Sequence, residues 1–164
     1  MTPPPLPAAQ QTLLEQGFDL HRRGRLEEAR DLYRKIETAN VDALRLLGTV
    51  EYQLGNHPEA LALLDRSLAL VPDQYEVWLV KGDALAAQKK YPEAVACYDE
   101  ALKLNPRYAE ACVQRGNALR DLERYDEAIA SYDRALLIRP DHGGTLYNRG
   151  IIHMRKDDFE PAVV

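Results

Sequence analysis

Residues 75–108 read YEVWLVKGDALAAQKKYPEAVACYDEALKLNPRY, and residues 109–142 read AEACVQRGNALRDLERYDEAIASYDRALLIRPDH. Each block is 34 residues long, and the two align without a gap. The register extends outward. Gly48, Gly82, Gly116 and Gly150 are spaced by 34, and Gly17 lies 31 before Gly48. Ala60, Ala94 and Ala128 keep the same spacing, as do Pro72, Pro106 and Pro140. Leu64, Tyr98 and Tyr132 form one large apolar column, and His57, Tyr91, Tyr125 and Phe159 form another. Several independent columns at one period mark a repeat protein, in which each unit buries its apolar face only against its neighbours.

Within a unit the apolar residues recur at helical spacing twice. Trp78, Leu79, Gly82 and Leu85 make one face; Tyr91, Ala94, Val95, Tyr98 and Leu102 make the next. Gln88-Lys89-Lys90 is the turn between them. Pro58 and Pro92 suit the first turn of a helix, where a missing N–H costs nothing. Glu59, Glu93 and Glu127 place negative charge at the same helix starts, which suits the dipole. The proline column closes each unit, because the residue before a proline is pushed out of helical geometry. Each unit is therefore an antiparallel pair of short helices, A and B. The small residues in the Gly82 and Ala94 columns are expected to let the two backbones approach, with the aromatic column filling the space between neighbours. The fold class is an all-α solenoid of about four and a half repeats: 10–40, 41–74, 75–108, 109–142 and a truncated 143–164. Helices are expected at 8–23, 26–38, 41–54, 58–70, 75–88, 92–104, 109–122, 126–138 and 143–156, with a tenth starting near 160.

The ends depart from the pattern. The first unit is about three residues short and has no proline at its close; Asn40 is expected to serve as a left-handed cap there. The fifth unit stops inside its second helix, so a fragment of a longer protein is expected, the other reading being an open end covered by another chain. Residues 1–7 form a proline-rich tail without repeat character and are expected to be disordered.

Composition excludes several functions. Lys and Arg total 21 against 26 Asp and Glu, a net charge of −5, which does not suit phosphate neutralisation, and no nucleic-acid partner is expected. No apolar run approaches the roughly 18–20 residues that span a bilayer, and no membrane partner is expected. Two cysteines cannot build a disulfide framework, and the amino terminus has neither the basic nor the apolar segment of a secretory signal; a cytoplasmic location follows as an expectation.

No catalytic constellation emerges. Ser67 shares a packing column with Ala101 and Ala135, and Ser131 shares one with Leu63 and Cys97; neither lies in a G-x-S-x-G elbow. His21, His57, His142 and His153 form no H-E-x-x-H, and His57 reads as a packing imidazole of the aromatic column. Cys97 and Cys112 lack the further ligands of a zinc site and read as core thiols. No catalytic residue, metal or cofactor is expected. Asp65, Asp99 and Asp133 repeat at 34 and read as separate positions on a solvated face.

The pattern resembles the tetratricopeptide repeat family: an aromatic, Leu-Gly, Tyr, Ala, Phe or Tyr, and Pro within 34 residues. The third unit carries it as Trp78, Lys81-Gly82, Leu85, Ala94, Tyr98 and Pro106. The fourth carries it as Cys112, Arg115-Gly116, Leu119, Ala128, Tyr132 and Pro140, and the second as Leu44, Leu47-Gly48, Ala60, Leu64 and Pro72. The resemblance implies that the A helices line a concave groove. By register, the groove residues are Arg45, Thr49 and Tyr52; Glu76, Leu79, Val80 and Asp83; Glu110, Val113, Gln114, Asn117 and Arg120; and Tyr147, Asn148 and Ile151. Leu46 joins Leu79, Val80 and Val113 as expected apolar anchors. The row Asp42, Glu76 and Glu110, with Asp83 nearby, has two readings: first-turn carboxylates that offset the helix dipole, or a groove surface for a peptide with apolar anchors and some basic residues. The Lys, Asn and Arg set with which some members hold a chaperone's terminal carboxylate is replaced here by Leu79, Asp83 and Gln114.

The implied function is a non-catalytic scaffold that binds a protein or peptide in this groove. Residues 20–29, LHRRGRLEEA, and Tyr147-Asn148-Arg149-Gly150 are also similar to the repeat arms of bacterial proteins resembling O-linked N-acetylglucosamine transferases. That similarity implies the alternative, a substrate-recruiting arm of a glycosyltransferase whose catalytic domain is absent from this chain. Self-association through the uncapped fifth repeat is a further expectation.

Overall fold

The computed structural model describes residues 7–36 and 40–159. Among them are nine helices and no strand: α1 (Ala8–Arg22), α2 (Leu26–Tyr33), α3 (Val41–Gln53), α4 (His57–Leu70), α5 (Tyr75–Ala87), α6 (Tyr91–Leu104), α7 (Ala109–Asp121), α8 (Tyr125–Ile138) and α9 (Gly143–Phe159). Odd-numbered helices are the A members of each pair and even-numbered ones the B members. The expected tenth helix lies outside the described residues. So does the proline-rich tail except Pro7, which sits at the head of α1, its carbonyl accepting from the Gln10 and Gln11 amides at 2.8 and 3.0 Å.

The first four A helices, α1, α3, α5 and α7, end in the same way. The chain enters the left-handed region at Gly24, Gly55, Lys89 and Glu123, with φ of 75, 82, 61 and 60°. The next amide reaches back to the last full turn: Arg25 to Leu20, Asn56 to Glu51, Lys90 to Leu85 and Arg124 to Leu119, at 2.8–3.0 Å. That closure satisfies orphan carbonyls and reverses the chain directly into helix B. The B helices end at Val71, Asn105 and Arg139, whose backbones are extended as the following proline requires.

Close packing within a pair is set by glycine and tyrosine. The Tyr98 ring lies on Gly82 so closely that a Cβ there would meet Cε1 at 2.5 Å; Tyr132 lies on Gly116 and Tyr33 on Gly17 in the same way. This corrects the expectation that the small residues serve backbone approach and that the aromatic column fills the gap between repeats. The glycine leaves room for a ring from its own repeat. The alanines of the next column, Ala29, Ala60, Ala94 and Ala128, are fully buried behind it.

Three further corrections concern local structure. Helix α2 stops at Tyr33 rather than 38. The Lys35 and Ile36 amides bond three residues back, to Leu32 and Tyr33, because a unit short of three residues must turn at once to reach α3. Asn40 is extended, not left-handed; its Oδ1 accepts from the Ala43 amide at 2.8 Å and caps the start of α3. The Asp65, Asp99 and Asp133 carboxylates are not merely solvated: each accepts from a cation sixteen residues on, in the A helix of the next repeat. The pairs are Lys81 Nζ to Asp65 at 2.6 Å, Arg115 Nε to Asp99 at 2.7 Å and Arg149 Nη1 to Asp133 at 2.5 Å. The first junction uses a variant, with Arg34 Nη2 donating to a fully buried Glu51 at 2.7 Å.

Candidate interaction groove

The curvature follows from which helices touch. Successive A helices contact one another, α1 with α3, α3 with α5, α5 with α7 and α7 with α9, whereas among the described residues no two B helices do. A stack that is close on one side and splayed on the other bends toward the close side. The A helices therefore line the concave face, as the family resemblance implies.

That same closeness changes the role of the expected apolar anchors. Leu79 is 7% exposed and Val113 8%, and both belong to one buried cluster; Leu46 is buried in the cluster of the first two repeats. They seal the seams between neighbouring A helices and do not offer free apolar area. Val80 is half-buried against Leu64, Leu68 and Val77.

The groove floor is instead polar and ordered by tyrosines from the B helices. The Tyr98 hydroxyl donates to Asp83 Oδ1 at 2.9 Å, and the Tyr132 hydroxyl donates to Asn117 Oδ1 at 2.8 Å. Asn117 Oδ1 also accepts from Asn148 Nδ2 at 3.0 Å, and its Nδ2 donates to Gln114 Oε1 at 2.8 Å. The structure thus joins Gln114, Asn117 and Asn148 in one network across two repeats. Thr49 is turned to its own helix, donating to the Arg45 carbonyl at 2.8 Å, and Arg45 donates to Asp42 at 3.2 Å. Glu76 and Glu110 stand in the first turns of α5 and α7, where they offset the dipole, and Glu110 also accepts from Arg139 at 3.3 Å. Arg120 is tied to Asp121 at 2.9 Å, Ile151 is half-buried, and Tyr147 stands 69% exposed.

Between α3, α5, α6 and α7 this floor opens into a cavity of about 260 Å³ lined by Tyr52, Asp83, Ala86, Ala87, Tyr91, Tyr98, Gln114, Asn117, Ala118 and Asp121. Burial pushes the Asp83 carboxyl up to about 6; the bond from Tyr98 opposes the shift and the charge of Glu110 adds to it. Burial, and secondarily Asp83, raises Tyr52, and burial with Asp83 raises Tyr98. Sequence register found Tyr52, Asp83, Gln114 and Asn117. It missed Ala87, Tyr91, Ala118 and Asp121, at the A–B turn end of the groove, and Tyr98, which the column reading places in the packing alone. The Ala86-Ala87 pair, too small to fill its share of the wall, was the only available signal.

A larger cleft, about 650 Å³, lies elsewhere, between α6, α7 and α8. Its charges satisfy one another: Arg115 binds Asp99 and the Ser131 hydroxyl, each at 2.7 Å, and Arg134 donates to the Pro106 carbonyl at 2.7 Å. The Cys112 thiol on its wall is buried, and burial raises its pKa; Cys97 is pushed up to about 11, so neither thiol ionises near neutrality. Among the described residues no group of three or more His, Cys, Asp or Glu could hold a metal ion, and no helix is long and apolar enough to cross a membrane.

Stacked helix pairs with a polar concave wall define a helical-repeat scaffold for protein interaction. The tetratricopeptide repeat profile matches residues 45–109, 79–142 and 113–163, and a second profile of the same description matches 10–35; the chain belongs to the tetratricopeptide repeat family. No curated protein matches the sequence. Solved structures similar to it include MamA MSR-1, 28% identical with a TM-score of 0.80 over 96% of this chain and 92% of that one. MamA AMB-1 is 29% identical, with a TM-score of 0.79 over 94% and 86%. The MamA RS-1 ArsTM double mutant is 23% identical and matches in fold, with a TM-score of 0.86 over 94% and 88%.

Proposed function

We propose that this chain holds an extended segment of a protein partner along its concave face, with the polar wall of Tyr52, Asp83, Gln114, Asn117 and Asn148 as the reading surface and Tyr147 as the exposed apolar contact. The single observation that carries this reading is the cavity on the inner face. It takes residues from three successive repeats, and it lies beside side chains already ordered by hydrogen bonds. Such preorganisation lowers the entropy cost of binding. Buried Leu46, Leu79 and Val113 hold the wall in place rather than contacting the partner.

Selection of random dodecapeptides on the full chain tests this. Ala87 is exposed at the rim of the cavity, and Ala87→Trp fills it without touching the core. The selected peptides are expected to lose binding to Ala87→Trp and keep it with Glu93→Trp on helix α6, away from the groove. Retention by Ala87→Trp sinks the reading.

A second reading, self-association, is favoured by Leu137 of α8 and Tyr147 and Met154 of α9, which are all more than half exposed at one end of the stack. It predicts a mass that rises with concentration in light scattering and falls back with Leu137→Glu.

A further inference from the structure

The inner cavity has a chemical bias beyond its shape. Its lining carries two carboxylates, Asp83 and Asp121, and no Lys, Arg or His. Asp121 already accepts from Arg120 Nε and Nη2 at 3.0 and 2.9 Å. Asp83 has no such neighbour: its one hydrogen bond on the wall comes from the neutral Tyr98 hydroxyl, and the charge that bears on it is a further carboxylate, Glu110. A half-buried anion without a counter-charge is an unfavourable arrangement for the empty protein, and an incoming cation relieves it. The equivalent wall position of the next repeat is Asn117, which makes the same tyrosine bond without the charge. The fold therefore does not need an acid at this place.

The remaining lining fits the same ligand. Ala86, Ala87 and Ala118 are small and leave a channel for an aliphatic stem, while Tyr52, Tyr91 and Tyr98 bring aromatic rings to a cation's surroundings. At about 260 Å³ the cavity is below the size of pockets for drug-sized molecules and suits one side chain. We propose that this cavity receives a single Lys or Arg side chain of the bound peptide, with Asp83 as its counter-ion. This rests on the groove reading above and specifies which residue the groove selects.

The peptide selection is repeated at neutral pH and its sequences aligned. Arg or Lys is expected at one fixed position. Asp83→Asn, which keeps the acceptor for Tyr98 as Asn117 does for Tyr132, is expected to weaken the best peptide about tenfold or more. Replacing the basic residue of that peptide with norleucine is expected to cost the same factor, and the two changes together no more than either alone. Glu93→Gln leaves the affinity unchanged. Peptides without a fixed basic residue, or with full affinity for Asp83→Asn, overturn the cation site; if Ala87→Trp still blocks them, the groove reading survives. Peptides indifferent to Ala87→Trp, or recovery of none above background, overturn both.

Discussion

The Tyr98 hydroxyl donates to Asp83 Oδ1 at 2.9 Å, across fifteen residues from helix B back to helix A of one repeat. One repeat later Tyr132 and Asn117 form the same bond at 2.8 Å. The first repeat has Phe18 at this place, and the buried Tyr33 hydroxyl finds no partner. The bond thus links the core tyrosine to the groove wall, and its acceptor varies from repeat to repeat.

Asp83 carries a folded-state pKa of about 6, above its ordinary value of 3.8, chiefly through burial. The sign follows directly. The folded chain holds this proton more tightly than the unfolded one, so the contribution of this carboxyl to stability is greatest below about pH 4, falls as pH rises through about 6, and stays reduced above it. Asp83→Asn removes that loss while keeping the Tyr98 bond. Urea denaturation at pH 7 is expected to show the variant more stable by about 1–3 kcal/mol, with the difference vanishing near pH 4. An equal gain at both values would mean that the charge is not the cause.

Gly82 and Gly150 occupy one sequence column, yet they predict opposite outcomes for alanine. At Gly82 the new methyl would sit 2.5 Å from Tyr98 Cε1, and the ring is fully enclosed, so Gly82→Ala is expected to destabilise by about 2–3 kcal/mol. At Gly150 no atom of the described residues lies within 4 Å, and Gly150→Ala is expected to stabilise by about 0.5–1 kcal/mol through helix propensity. Thermal denaturation of both variants checks the pair; a common sign would break the link between glycine and tyrosine.

The columns that recur at 34 residues were legible because they are the repeat's own packing. Gly82, Ala94, Tyr98 and Pro106 each fill a fixed place, and the helix boundaries follow from them. What register could not show is which flank of an A helix is sealed by the next one. Leu79 and Val113 have the spacing of groove residues and the burial of core residues, because seam and groove are adjacent on the same helix. Asp65, Asp99 and Asp133 read as separate positions on a solvated face, since the sixteen-residue offset that joins Asp99 to Arg115 crosses a repeat boundary. Asn40 reads equally as either cap, because C-terminal and N-terminal caps both favour asparagine.

Lys89 and Glu123 hold φ near 60° at a position that Gly24 and Gly55 fill in the first two repeats. A side chain in this region pays a steric cost that glycine avoids. Lys89→Gly and Glu123→Gly are each expected to stabilise by about 0.5–1 kcal/mol despite the added freedom of the unfolded chain. The reverse change, Gly55→Ala, is expected to destabilise by about 1 kcal/mol. Urea midpoints with unchanged slopes would verify both; a loss of stability in Lys89→Gly would show that the lysine side chain contributes more than its backbone costs.

The joint between the first two repeats depends on a charge that has no access to water. Glu51 is 0% exposed, accepting from Arg34 Nη2 and from Asn56 Nδ2, each at 2.7 Å. Removing only the cation leaves the carboxylate buried with a single neutral donor, so Arg34→Ala is expected to cost about 3 kcal/mol. Removing both charges with apolar replacements of similar length, Arg34→Met with Glu51→Leu, is expected to recover most of that loss, because the desolvation of the buried carboxylate disappears with the attraction, Arg34 itself being half exposed. A double-mutant cycle by urea denaturation measures the difference. If the two losses simply add, the joint is held by the apolar contacts of Tyr33, Ile36, Ala43 and Leu47, and the ion pair is incidental to the seating of α1 and α2 on α3.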